Sequence, residues 1–210
     1  MQSSSANAST DAVDFLLGRH SARSRELIAP GPDDQQLAMM LAAAVHVPDH
    51  GRMQPWRFIV VRGAARQLLG DALAARALER DPNIAQKSLE KERQRFSFAP
   101  LIIVVVAKLT PDHKIPQIEQ VLSGGCACFS LLQAAQAMGF GAQWLTGWAA
   151  YDPQITALLG LVERESILGF IHIGSTQSPP EERERPDPQQ LLSEWNGPQA
   201  AITNHGPASS

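Results

Sequence analysis

The sequence predicts a layered domain of mixed helix and sheet, either α+β or α/β, and three observations predict it. Stretches with helical apolar spacing alternate with about four short runs of strand-like residues. One run, "PLIIVVVAKL", is apolar and β-branched without interruption, the mark of a strand covered on both faces. Hydrophobic residues make up 44% of the 210-residue chain, enough for the core of one domain of ordinary size.

The elements follow in order. Residues 1–10 read as a flexible tail. Thr10 or Asp11 caps a first helix over "DAVDFLLGR", and "SARSRELIAPG" is a loop. "PDDQQLAMMLAAAVHV" opens with proline and acids, as helix starts do, and Leu37, Met40, Leu41 and Ala44 recur at helical spacing until Pro48 ends it. "WRFIVVRG" is a strand, followed by two helices polar on one side, "AARQLLGDALAARALERD" and "IAQKSLEKERQRF". The doubly covered strand comes next. "IEQVLSGGCACFSLLQAAQAMGF" is apolar or small nearly all round, which predicts a helix buried in the core. "GAQWLTG" is a short strand, "DPQITALLGL" a capped helix and "SILGFIHIG" a strand. A polar, proline-rich extension leads to "QQLLSEW", an element placed to reach a partner, and residues 196–210 read as a flexible tail. The segment 11–195 is expected to form a single domain.

Several classes are excluded. The net charge of −3 gives no general attraction to nucleic acid or anionic lipid. No run reaches the about 18 apolar residues of a membrane span. The start lacks the order of a secretory signal, so the expected location is cytoplasmic. There is no glycine-rich phosphate loop and no internal repeat. Cys126 and Cys128 point in different directions on a helix, and they read as two small buried residues rather than zinc ligands.

Three clusters can carry chemistry. In "GRHSARS", Arg19, His20, Ser21 and Arg23 follow a short helix. A guanidinium and a hydroxyl there suit a phosphate, although a solvated helix end has the same composition. In "HVPDHGRMQPWRFIVV", His46 and His50 flank Pro48, which breaks the helix between them and argues against a shared metal. This corner either packs over Trp56 or offers donors to an anionic ligand. In "GAQWLTG", Trp144 is either a core anchor or a ligand platform, and Thr146 and Gly147 can expose backbone N–H groups to a ring.

Together the clusters resemble the nitroreductase family, in particular its small YdjA-like NAD(P)H nitroreductases. "LLGRHSARS" is similar to that group's "LL-x-R-R-S-x-S-R" opening, and "VPDHGRMQPWRFIVV" to its "APDH-x-x-MQPW-x-F-x-V" block. "APLIIVVVAK" with "HKIPQIEQVLSGGCA" resembles "APLII-x-V-V-AK…HK-V-P…EQ…SAGCA", and "GFGAQWLTG" stands where the group has "GFGG-x-W-R-S-G". The resemblance runs from about Asp11 to Pro188.

The resemblance implies an α+β fold, with a central, mostly antiparallel sheet flanked by helices, in an intertwined homodimer that binds FMN between subunits. It assigns Arg19, His20 and Ser21 to the phosphate and ribityl end. His46 and His50 also fall at flavin-contacting positions, with His50 reaching the partner subunit's flavin. Trp144, Leu145 and Thr146 match the strand-end contacts. The implied reaction is ping-pong hydride transfer from NAD(P)H to a nitro compound, quinone or similar small acceptor. The alternative is a flavin-binding sensor or carrier with little turnover. Three departures bear on the flavin: the group's second Arg is His20, a basic residue before the PDH block is His46, and the Arg after Trp144 is Leu145.

Overall fold

The computed structural model describes residues 10–178, 182–195 and 197. Four strands, β1 (Trp56–Arg62), β2 (Leu101–Lys108), β3 (Gly141–Leu145) and β4 (Glu165–Gly174), form one antiparallel sheet in the order β1-β2-β4-β3. The expected α+β architecture is therefore present. β2 lies between β1 and β4, and all but its last residue are buried, as its unbroken apolar run requires. At one end of the sheet, Arg57 reaches from β1 to Glu165 of β4 with two 2.7 Å hydrogen bonds.

Helices cover both faces. On one lie α2 (Asp34–Ala44) and α5 (Gln117–Ala137), whose Leu37, Met40, Cys128, Leu131 and Ala135 pack with Ile103, Val105, Ile171 and Ile173. α2 starts as expected, with a capping box in which Asp33 accepts from the Gln36 amide and Gln36 answers to the Asp33 amide. On the other face, residues of α3 (Ala64–Arg80) and α6 (Pro153–Leu158) pack against Ile102, Val104 and Val106, and α4 (Gln86–Gln94) lies against α3. The first helix, α1 (Thr10–Leu17), stops before Arg19 rather than including it.

The sequence expectation for α5 needs correction. It is not buried all round. Ile118, Leu122 and Phe129 are exposed, Leu122 by 60%, and Cys126 lies exposed while Cys128 is buried. The composition is that of a helix enclosed on every side, but this chain covers only one side of it. The uncovered stripe and the end of α2 form an apolar depression of about 540 Å³ lined by Val47, Pro48, Leu122, Gly125, Cys126 and Phe129. Gln133 sits at its rim with both polar side-chain atoms buried and unpartnered.

One core residue links the fold to pH. His172 on β4 is buried, stacks on Phe96 with centroids 5.6 Å apart, and has no partner for either ring nitrogen. Burial, assisted by the Arg95 guanidinium, pushes its pKa from 6.5 to about 4. The unfolded chain therefore takes up a proton that the folded chain refuses. Stability from this site is complete above pH 6.5 and drains away as pH falls to about 4, a change of roughly 3 kcal/mol. Urea unfolding at pH 7 and pH 4.5 should show His172→Leu losing less stability on acidification than the wild type. Equal losses would show that His172 is not the source.

Candidate functional site

The Arg19 cluster is assembled by the chain reversal after α1. Gln136, in the last turn of α5, donates to the carbonyls of Phe15 and Gly18, each at 3.2 Å, and ties the reversal to that helix end. The next residues lie along β3: the Ala22 amide donates to the Ala142 carbonyl at 3.1 Å, and the Ser24 amide to Gln143 Oε1 at 2.6 Å. In this setting Arg19 Nη1 donates to Ser21 Oγ at 3.1 Å. His20 lies between them with a buried, unpartnered Nδ1.

Two arginines from the polar extension join the cluster. Arg185 Nη2 donates to the Arg19 carbonyl at 2.8 Å. Burial first, and then the Arg185 and Arg183 guanidiniums, hold Arg19 below the ordinary arginine pKa. None of these three arginines has an ion-pair partner among the described residues. A partly buried arginine with two exposed ones beside it, unpaired among the described residues, is a site for an anion.

Two cavities open here. One of about 820 Å³ is lined by Ser21, Arg23, Arg25, Glu26, Gln143, Thr176, Ser178 and Arg183, among others. The second, about 530 Å³, shares Arg23, Arg25 and Gln143 and adds Lys91, Arg95, Phe98 and Leu145. Leu145 thus lines a cavity whose wall also carries the side chains of Arg23, Arg25 and Arg95. Arg95 is held by both carboxylate oxygens of Glu92, at 2.8 and 2.7 Å.

Trp144 faces the other way, 37% exposed, with Nε1 donating to the Leu168 carbonyl at 2.9 Å. Gly169 makes room for the indole, because an added Cβ would overlap it. Thr146 is partly buried just past the strand, before Gly147 turns the chain at a φ of 80°.

The histidine corner lies elsewhere. His46 is exposed, and His50 stands in a short 3₁₀ turn with Nδ1 2.6 Å from Glu119 Oε2, in the first turn of α5. Gln136, which anchors the Arg19 loop, is in the last turn of the same helix. At roughly 1.5 Å per residue the two anchors are about 25 Å apart along the axis. One chain brings Arg19, His20 and Ser21 together and sets Trp144, Leu145 and Thr146 at the end of β3. It does not bring His46 or His50 to them. Among the described residues no three His, Cys, Asp or Glu side chains could hold a metal ion, and no helix is long and apolar enough to cross a membrane.

Arg183, Arg185 and Arg95 escaped the sequence reading. The first two lie in a polar extension whose "ERER" run looks like a solvated tail, and Arg95 sits on a helix polar on one side. Only tertiary structure carries them to the Ser21 and Leu145 cavities.

The chain belongs to the nitroreductase family, whose model matches residues 16–175. Over 80% of its length it is 38% identical to an Escherichia coli K12 protein named "Putative NAD(P)H nitroreductase YdjA", covering 89% of that protein. Its fold is also that of a nitroreductase-like protein of Bacillus cereus, with a TM-score of 0.76 and 22% identity over 92% of this chain and all of the other. A protein of Desulfovibrio desulfuricans solved in complex with FMN gives a TM-score of 0.68 and 23% identity over 91% of this chain and 100% of the other.

Gly169→Ala tests how the strand-end surface is built. The new methyl should displace the exposed indole of Trp144 and cost little stability, since that side chain can swing outward. In a ¹⁵N–¹H spectrum, one of the four tryptophan indole signals should move and exchange faster with solvent. An unchanged set of indole signals would show that Gly169 does not hold Trp144.

Proposed function

We propose that this protein is an FMN-dependent oxidoreductase that uses NAD(P)H to reduce nitro compounds, quinones or similar small acceptors, and that it works as a homodimer. The observation that carries the reading is the uncompensated cluster of Arg19, Arg183 and Arg185 beside the cavity lined by Ser21. It fits the phosphate of FMN in charge and hydrogen-bonding capacity. Bound there, FMN supplies ping-pong hydride chemistry, accepting from NAD(P)H and returning to the acceptor.

The chain's own residues bind and orient. Arg19 and Ser21 hold the phosphate and ribityl end, with His20 between them. Leu145 and Thr146, with the backbone of Trp144, offer the ring its contacts at the end of β3. The Leu145 cavity keeps Arg23 and Arg95 in its wall. Cations there favour negative charge gained by a ring on reduction, Arg95 less so because Glu92 holds it. The missing Arg at position 145 therefore does not leave the cavity without positive charge, which weakens the case for a flavin carrier with little turnover.

Dimerisation follows from what one chain leaves unfinished. The exposed stripe of α5 and the unpartnered Gln133 call for a covering surface. Leu191, Leu192 and Trp195 are exposed on the extension, Trp195 by 82%, as an arm seated on a partner would require. A second copy related by a twofold axis can cover the stripe and bring its His46 and His50 to this chain's flavin.

Purified protein should show flavin absorption and oxidise NAD(P)H when a nitroarene or quinone is supplied. Flavin bands without turnover would favour the carrier. Arg19→Ala should weaken FMN binding by roughly tenfold or more, because a charge-assisted hydrogen bond is worth about 1.5–3 kcal/mol. His20→Ala should cost less. Titrations giving the reverse order would contradict the assignment of Arg19 to the phosphate.

A further inference from the structure

The turn between α2 and β1 is held more firmly than a connection requires. Ser123 Oγ, on α5, donates to the Pro48 carbonyl at 2.5 Å. The Asp49 carboxylate accepts from the amides of Met53 at 3.0 Å and Gln54 at 2.9 Å. Gly51 has a φ of 70° and lies against Ile115, where a Cβ would collide. Arg52 and Gln54 take left-handed φ values of 54° and 49° without being glycine. Such conformations persist only where surrounding contacts over-determine them, and they gather at functional sites.

His50 sits at the centre of this turn. Its Nδ1 lies 2.6 Å from Glu119 Oε2, with side-chain exposures of 65% and 43%. A contact so open to water contributes little to folding. Glu119 is itself well placed. The next residue, Gln120, is buried and bonds through its carboxamide to the Thr110 amide and to the Thr110 and Ile115 carbonyls. The carboxylate therefore projects from a fixed helix start onto a fixed loop.

We infer that Glu119 is a positioning residue for His50: it accepts a hydrogen bond from Nδ1, so that in the neutral tautomer Nε2 is left as an acceptor for an N–H or O–H group of the partner subunit's flavin. A carboxylate can only accept, so the shared hydrogen must sit on Nδ1. The commitment of one ring nitrogen fixes the role of the other. Among the described residues Nε2 has no hydrogen-bond partner, which leaves it open to a ligand. This inference rests on the reading that His50 meets the partner's flavin, and it adds the atom, the tautomer and the residue that sets it.

The test uses the full-length dimer and FMN as the probe. Long-range ¹⁵N–¹H spectra of the wild type, with His50 assigned through His50→Gln, should show Nδ1 protonated and Nε2 bare. Glu119→Leu should release the other tautomer, leave the melting temperature nearly unchanged and weaken FMN binding roughly three- to tenfold, the loss of one hydrogen bond. Glu119→Gln, which keeps an acceptor oxygen, should recover most of the affinity. His50→Ala should weaken binding to a similar degree, and adding Glu119→Leu to it should cost nothing more. Wild-type His50 with its proton on Nε2, or losses that multiply in the double variant, would overturn the positioning role. If Glu119→Leu binds FMN normally while His50→Ala does not, only the inference falls. If His50→Ala also binds normally, the placement of His50 at the flavin falls with it.

Discussion

The unbroken span of α5 is the constraint on which the rest of the arrangement depends. A helix from Gln117 to Ala137 is a rigid spacer, and each of its ends holds one half of the candidate machinery. Gln136 anchors the Arg19 loop at the far end, while Glu119 and Ser123 anchor the His50 turn at the near end. Hydrogen bonds fix both attachments, so the halves cannot meet by loop movement within one subunit. The twofold-related copy proposed above would resolve the separation, setting the near end of one helix beside the far end of another and covering the apolar stripe between them.

Electrostatics completes the picture at the far end. The chain carries a net charge of −3, yet arginines collect on both sides of the β3 edge. Some are neutralised, as Arg95 is by Glu92. Arg19, Arg183 and Arg185 have no ion-pair partner among the described residues, and burial first, then repulsion from the other two, lowers the Arg19 pKa. An anion bound among them removes that repulsion, so binding and local order should reinforce each other. β3 suits this role because it is an edge strand, and the free side that a central strand would give to a neighbour instead receives the loop after Arg19, through the Ala22 and Ser24 amides.

Much of the fold was legible because the signals are local. The proline and aspartates before α2, the apolar run of β2 and Asp152 before α6 each act within a few residues, and each element starts close to where the sequence placed it, although α2 ends at Ala44, short of Pro48, and α6 at Leu158. The resemblance brought Arg19 and Ser21, and those two touch. What the sequence could not reveal depends on distant residues. Arg183 and Arg185 reach Arg19 across more than the length of the whole sheet in sequence, and Glu119 and His50 are joined only by packing. Leu145 read as a lost contact because the cations lining its cavity come from the Arg23 loop and from Arg95. The composition of α5 gave a true signal with an incomplete reading: small and apolar on all sides means covered on all sides, but the cover need not come from the same chain.

Subunit mixing addresses the shared site most directly. Arg19→Ala and His50→Ala each damage both sites of their own homodimer, but a mixed dimer places both changes in one site and leaves the other intact. When the two variants are dissociated and reassociated together, about a quarter of the wild-type FMN sites should return, as random pairing of a twofold dimer requires. Recovery of tight flavin binding to that level is the result expected here. A mixture that binds no better than its two parents would contradict a site built from two chains.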